Sequence, residues 1–119
     1  MLALAALVAS IAAVHPPAAY VASGPTRIPL AIASWCWDAR CGAPLAHAPR
    51  RVSVARGALV HVELLLVPTD ATITVGGVPA QETVRGREVT FPAIRTGGIT
   101  AVVHYRRGWV VYSARLAVR

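Results

Sequence analysis

The sequence predicts an all-β fold, an antiparallel sandwich of about seven to eight strands behind a short apolar leader, and three observations carry that prediction. The first is periodicity. After residue 24 the apolar residues recur at every second position, and no stretch carries the 3.6-residue stripe of an amphipathic helix. The second is punctuation. Arg56-Gly57, Pro68-Thr69-Asp70, Gly76-Gly77, Arg85-Gly86, Thr96-Gly97-Gly98 and Arg107-Gly108 place turn chemistry at short intervals. The third is composition. Val, Ile, Leu and Thr dominate the second half, Lys is absent, and Glu occurs only at Glu63, Glu82 and Glu88. Strand formers therefore outweigh long charged helix formers. A chain of 119 residues fits one domain.

At the N-terminus, Leu2–Val14 reads LALAALVASIAAV. Such a run matches the apolar core of a signal peptide, about 7–15 residues, and falls short of the ~20 that a transmembrane helix needs. His15-Pro16-Pro17 then breaks it. Val21-Ala22-Ser23 supplies residues suited to the −3 and −1 positions of a cleavage site. The predicted division is residues 1–23 as signal peptide, cut before Gly24, and residues 24–119 as the β domain. One feature departs from the pattern: no Lys or Arg precedes the run, which leaves a misplaced start codon or an uncleaved anchor as the alternatives. No Cys stands in a lipobox position.

Strands are expected near 27–34, 51–55, 58–67, 71–76, 82–85, 88–91, 99–106 and 109–118. Ile28, Leu30 and Ile32 alternate in the first. Val60, Val62, Leu64 and Leu66 share one face of the third, with His61 and Glu63 opposite. Ile73 and Val75, Val89 and Phe91, and Ala101, Val103 and Tyr105 continue the alternation. Val110, Tyr112, Ala114, Leu116 and Val118 complete it. Short turns join antiparallel neighbours and no crossover helix is available, so a parallel sheet is excluded. The last two strands form a hairpin over Arg106-Arg107-Gly108, and Gly42–Arg50 is the longest loop.

Ser34–Gly42, SWCWDARCG, is the most distinctive segment. Two cysteines in an exported chain pair by default, and Cys36 and Cys41 close a short loop. Such a loop is worth about 2 kcal/mol of chain entropy. In an extended strand Trp35 and Trp37 project to one side and Cys36 to the other. They read either as an aromatic platform or as a cover over the sandwich end and the disulfide. Trp109, beside Arg106 and Arg107, reads either as a cation–π partner or as a strand-end packing residue.

The pattern over residues 27–118 resembles an immunoglobulin-like sandwich of the bacterial extracytoplasmic kind. The Trp-Cys-Trp run ahead of a second Cys is similar to a segment of small secreted bacterial proteins in which a Pro-containing loop and a β-rich tail follow. The sequence departs from antibody-type domains: it has no widely spaced Cys pair to bridge the sheets and no Trp in the third-strand position. The resemblance implies a fold and a secreted or extracytoplasmic location, and no activity.

Net charge is +7, with all twelve basic residues Arg. An anionic partner suits that balance, and so does a solvated arginine surface. The arginines spread from Arg27 to Arg119 without interleaved aromatics, and an exported protein does not meet nucleic acid, so nucleic-acid binding is not expected. Catalysis is not expected either. There is no G-x-S-x-G, no glycine-rich phosphate loop ahead of a helix, and Asp38, Glu63, Asp70, Glu82 and Glu88 are scattered. Redox chemistry would need a C-x-x-C at a helix start. No metal or other cofactor is assigned.

The expected function is a non-enzymatic extracytoplasmic module that contacts a protein or an anionic envelope component through loop ends. Trp35, Trp37, Arg40, Arg106, Arg107 and Trp109 are the candidate binding residues. The alternative is an extracytoplasmic metal-binding protein using Cys36, Cys41 and His47, His61 or His104 as ligands.

Overall fold

The computed structural model describes residues 15–42 and 48–119. They form twelve strands and no helix. In chain order these are β1 (Ala19–Ser23), β2 (Thr26–Pro29), β3 (Ala31–Trp37), β4 (Arg40–Gly42), β5 (Arg51–Val54) and β6 (Leu59–Leu64). Then follow β7 (Asp70–Val75), β8 (Val78–Pro79), β9 (Thr83–Arg85), β10 (Glu88–Pro92), β11 (Gly97–Tyr105) and β12 (Gly108–Val118). One sheet runs β2-β1-β6-β10-β9. The other runs β4-β3-β12-β11-β7-β8, with β5 also paired to β12.

The period-two pattern decides the packing. In β12, Val110, Tyr112, Ala114 and Leu116 are buried while their neighbours are not. In β6 the buried set is Val60, Val62 and Leu64. The inward faces of both sheets meet in one core, where Val21, Val62, Val89 and Phe91 from the first pack with Ile73, Ile99, Val103 and Tyr112 from the second. No polar or charged residue is buried among the described residues.

The all-β class is as expected, but the strand count is higher than seven to eight, and the differences have physical causes. The expected strand 27–34 divides at Leu30, so that β2 lies in one sheet and β3 in the other. Pro29 has no N–H for a ladder, and the buried Leu30 instead donates its N–H to the Ala19 carbonyl at 2.9 Å. The strand expected over 58–67 stops at Leu64, which leaves Leu66 exposed. Gly97 and Gly98 lie inside β11, not in a turn.

One parallel pair exists, against the expectation of none: β5 runs alongside β12, Arg51–Val54 against Arg115–Val118. It lies on the same edge of β12 as β3, which pairs with Gly108–Ser113. The two partners are far apart in sequence, so no short turn joins them.

The expected boundary at Gly24 falls inside the β1–β2 turn. Strand pairing begins at Ala19: β1 pairs with β6 as well as β2, and Val21 is fully buried. A cut before Gly24 would remove a strand of the sheet. The apolar run Leu2–Val14 lies outside the described residues.

Candidate functional site

Cys36 and Cys41 face each other across the β3–β4 hairpin and form a disulfide. The hairpin closes through Asp38-Ala39, both at positive φ, 51° and 63°. A two-residue hairpin turn of this kind needs φ > 0 at both positions. Trp35 and Trp37 face inward. Trp37 is 2% exposed and meets the edge of Tyr105, ring centroids 5.5 Å apart. Trp35 is half-buried against the core, its ring occupies the space a side chain at Gly42 would need, and its Nε1 has no hydrogen-bond partner among the described residues. Both tryptophans therefore cover the end of the sandwich, and Trp37 is not a surface binding residue.

The β11–β12 hairpin brings Arg106-Arg107 to the same end. Gly108 lies opposite Trp37, and a Cβ there would collide with the Cys36 carbonyl. Only glycine permits so close an approach. The two turns are then joined. The Arg107 guanidinium donates to both Asp38 carboxylate oxygens, from Nε at 2.9 Å and from Nη2, and Asp38 N–H donates to the Arg107 carbonyl at 3.0 Å. The hydrogen bonds from Arg107 hold the Asp38 carboxyl below its ordinary range and raise Arg107 in turn. The Arg107 guanidinium lies 5.1 Å from the Trp37 ring centroid, so of the two readings of Trp109 the cation–π contact goes to Trp37 instead. Trp109 pairs opposite Cys36 and His104, half-buried on the outer face. Arg40 and Arg106 are exposed and have no ion-pair partner among the described residues.

Beside these turns runs the β6–β7 loop, whose first residues the alternation predicts as the end of a strand. Leu65, Leu66 and Val67 are 49%, 43% and 65% exposed. Trp37, Leu66, Val67, Tyr105, Arg106 and Arg107 line one shallow depression. The signal was available in the sequence: three apolar residues in succession after Leu64 break the alternation, and Pro68 follows.

The outer face of the other sheet carries a second cluster. Glu63 and Glu88 face each other across β6 and β10, though distant in sequence. Arg27 Nε donates to Glu63 at 3.0 Å and lies over Tyr20 at 3.9 Å, while His61 Nδ1 pairs with Glu88. Each carboxylate thus has a side-chain partner.

The ligands of the alternative, metal-binding reading do not assemble among the described residues. The cysteines are joined to each other, and His61 and His104 lie on different sheets. No group of three or more ligating side chains occurs among the described residues, and His47 lies outside them. Comparison with known protein families, curated proteins and solved structures finds no match to this chain.

Proposed function

We infer that this chain is an extracytoplasmic, immunoglobulin-like module that acts by binding, not catalysis, through the end of the sandwich where the β3–β4 and β11–β12 turns meet. The strand arrangement supports the immunoglobulin-like reading: β1, β6, β10 and β9 adjoin in one layer, and β5, β12, β11 and β7 in the other, with β5 parallel to the last strand. The closed Cys36–Cys41 pair suits an oxidising compartment, as does an apolar leader.

The observation that carries the binding reading is the Asp38–Arg107 junction. It fixes two turns that are distant in sequence into one surface, from which Arg40 and Arg106 project without an ion-pair partner among the described residues. Loops presented by a stiff sandwich are where such folds carry recognition. An acidic protein surface or an anionic envelope component complements these side chains.

The test is co-sedimentation of the purified chain with the envelope fraction of its source cells, beside an Arg40→Glu/Arg106→Glu variant. At least a tenfold loss of retention is expected, with an unchanged melting temperature. Equal retention of the variant refutes the assignment of this end.

A further inference from the structure

We propose that this same end of the domain docks on an anionic lipid bilayer, with Leu65, Leu66 and Val67 entering the interface and a flanking set of arginines meeting the headgroups. The inference rests on the reading that this end is a binding surface and adds what it binds.

Leu65–Val67 is the one run of three successive exposed large apolar residues among the described residues. Monomeric proteins seldom cluster such side chains without a covering partner. Both feet of the loop are held. Leu64 N–H donates to the Arg87 carbonyl at 2.8 Å, and Thr69 donates to the His104 carbonyl through its N–H at 2.8 Å and its hydroxyl at 3.1 Å. The apolar side chains are therefore presented by a fixed scaffold.

Arginines stand on both sides. Leu65 shares a depression with Arg85 and Arg87, and Leu66 and Val67 share theirs with Arg106 and Arg107. Most acids at this end are already engaged: Asp38 by Arg107, Glu63 by Arg27 and Glu88 by His61. Asp70 is the remaining one. Arg40, Arg85, Arg87 and Arg106 keep a positive field around the loop, and guanidinium groups match phosphate geometry. Apolar residues at the centre of a basic rim give the pattern of an interfacial anchor, which gains from burial in the acyl boundary and from attraction to anionic lipid.

The central apolar run favours a bilayer over an acidic protein surface, because headgroups meet the arginines while the acyl boundary takes Leu65, Leu66 and Val67.

The test is flotation of the full chain with vesicles of phosphatidylglycerol and phosphatidylcholine, and with vesicles of phosphatidylcholine alone. Variants are Leu66→Ser/Val67→Ser and Arg85→Glu/Arg106→Glu. Val78→Ser/Ile94→Ser, at the opposite end, is the control, and thermal melts verify folding. The expected result is association with the anionic vesicles only, weakened by salt, reduced about tenfold or more by either tip variant and untouched by the control. Three results overturn the inference. One is no association with anionic vesicles. Another is full association by the Leu66→Ser/Val67→Ser variant, which would mean adsorption by charge alone. The last is association indifferent to lipid charge and to both tip variants, which would assign the membrane contact to the N-terminal run. If vesicle binding fails while retention on envelopes still depends on Arg40 and Arg106, the lipid inference falls and the binding-end reading stands; failure of both removes both.

Discussion

Tyr112→Phe is the substitution with the sharpest energetic consequence. Tyr112 is fully buried, and its hydroxyl donates to the Pro17 carbonyl at 2.6 Å. That commits its only proton, so the Tyr105 hydroxyl, 2.9 Å away, donates to Tyr112. The chain runs Tyr105 to Tyr112 to Pro17, linking the tip, the core and the residues that lead into β1. Removing the Tyr112 hydroxyl leaves a carbonyl and a phenol without partners, at a cost of about 1–3 kcal/mol. Removing the Tyr105 hydroxyl deletes only the first link and leaves Tyr112 bonded to Pro17, at about 0.5–1.5 kcal/mol. For a domain of this size each kcal/mol lowers the melting temperature by roughly 4–8 °C. Urea unfolding at pH 7 of the two single variants and the double variant measures these differences. A Tyr105→Phe loss equal to or larger than that of Tyr112→Phe refutes the assigned direction of the relay. Alkali gives an independent check. Burial pushes both phenols above the ordinary tyrosine range, and the Tyr105 hydroxyl adds to the rise at Tyr112. Both stay protonated in the fold while the unfolded chain begins to ionise near pH 10, so unfolding releases protons above that pH. Their contribution is complete below pH ~10 and declines above it, at Tyr112 by about 1.4 kcal/mol per pH unit. Tyr112→Phe should remove one such increment from the slope.

The remaining predictions concern the hairpin and the N-terminal strand. Ala39→Gly should raise stability by about 0.5–1 kcal/mol in a thermal melt, because an L-residue at positive φ carries about 1–2 kcal/mol of strain and the glycine's freer unfolded chain offsets part of the relief; a lower melting temperature contradicts the turn geometry. Reduction of Cys36–Cys41, or Cys36→Ser/Cys41→Ser, should cost about 2 kcal/mol in urea unfolding and leave a folded sandwich, since the loop is short and lies at one end; global unfolding would show that the clamp holds more than the hairpin. A chain beginning at Gly24 should fail to fold, while one beginning at His15 folds, because burial of Val21 alone contributes about 1.5–3 kcal/mol and the β1–β6 ladder goes with it. Circular dichroism of the two chains separates these outcomes, and a folded chain from Gly24 removes β1 from the domain.

The core was legible in the sequence because burial in a sheet follows alternation, and Val60, Val62, Val89, Val103, Val110 and Tyr112 alternate without interruption. Strand β1 was not, because Ala19–Ser23, AYVAS, has the small residues that a cleavage site also requires; only its register against β6 distinguishes the two. The β3–β4 hairpin was hidden because Asp-Ala lacks the glycine that normally marks positive φ, the disulfide and Arg107 holding the turn instead. The Glu63–Glu88 pairing and the apolar loop beside Arg106 depend on which strands adjoin, and turn signals give only consecutive neighbours.

One further signal at the site was present in the sequence as a change of phase. Leu30 and Ile32 keep an even spacing, yet Trp35 and Trp37 fall on the odd phase relative to Ile32. An uninterrupted strand cannot turn both sets inward, because side chains alternate faces with a period of two. The β3–β12 ladder resolves the conflict with a bulge: Val111 pairs with Ser34 and Tyr112 with Ile32, so Ala33 is passed over. Ile32 and Trp35 then both pack on the core. Without that extra residue, the tip half of β3 would be reversed, with Cys36 turned into the sandwich and Trp35 and Trp37 out to solvent. The disulfide would then lie under the sheet and Trp109 would lose its place beside it. The outward disulfide and the inward tryptophans at this end therefore follow from one inserted residue in β3.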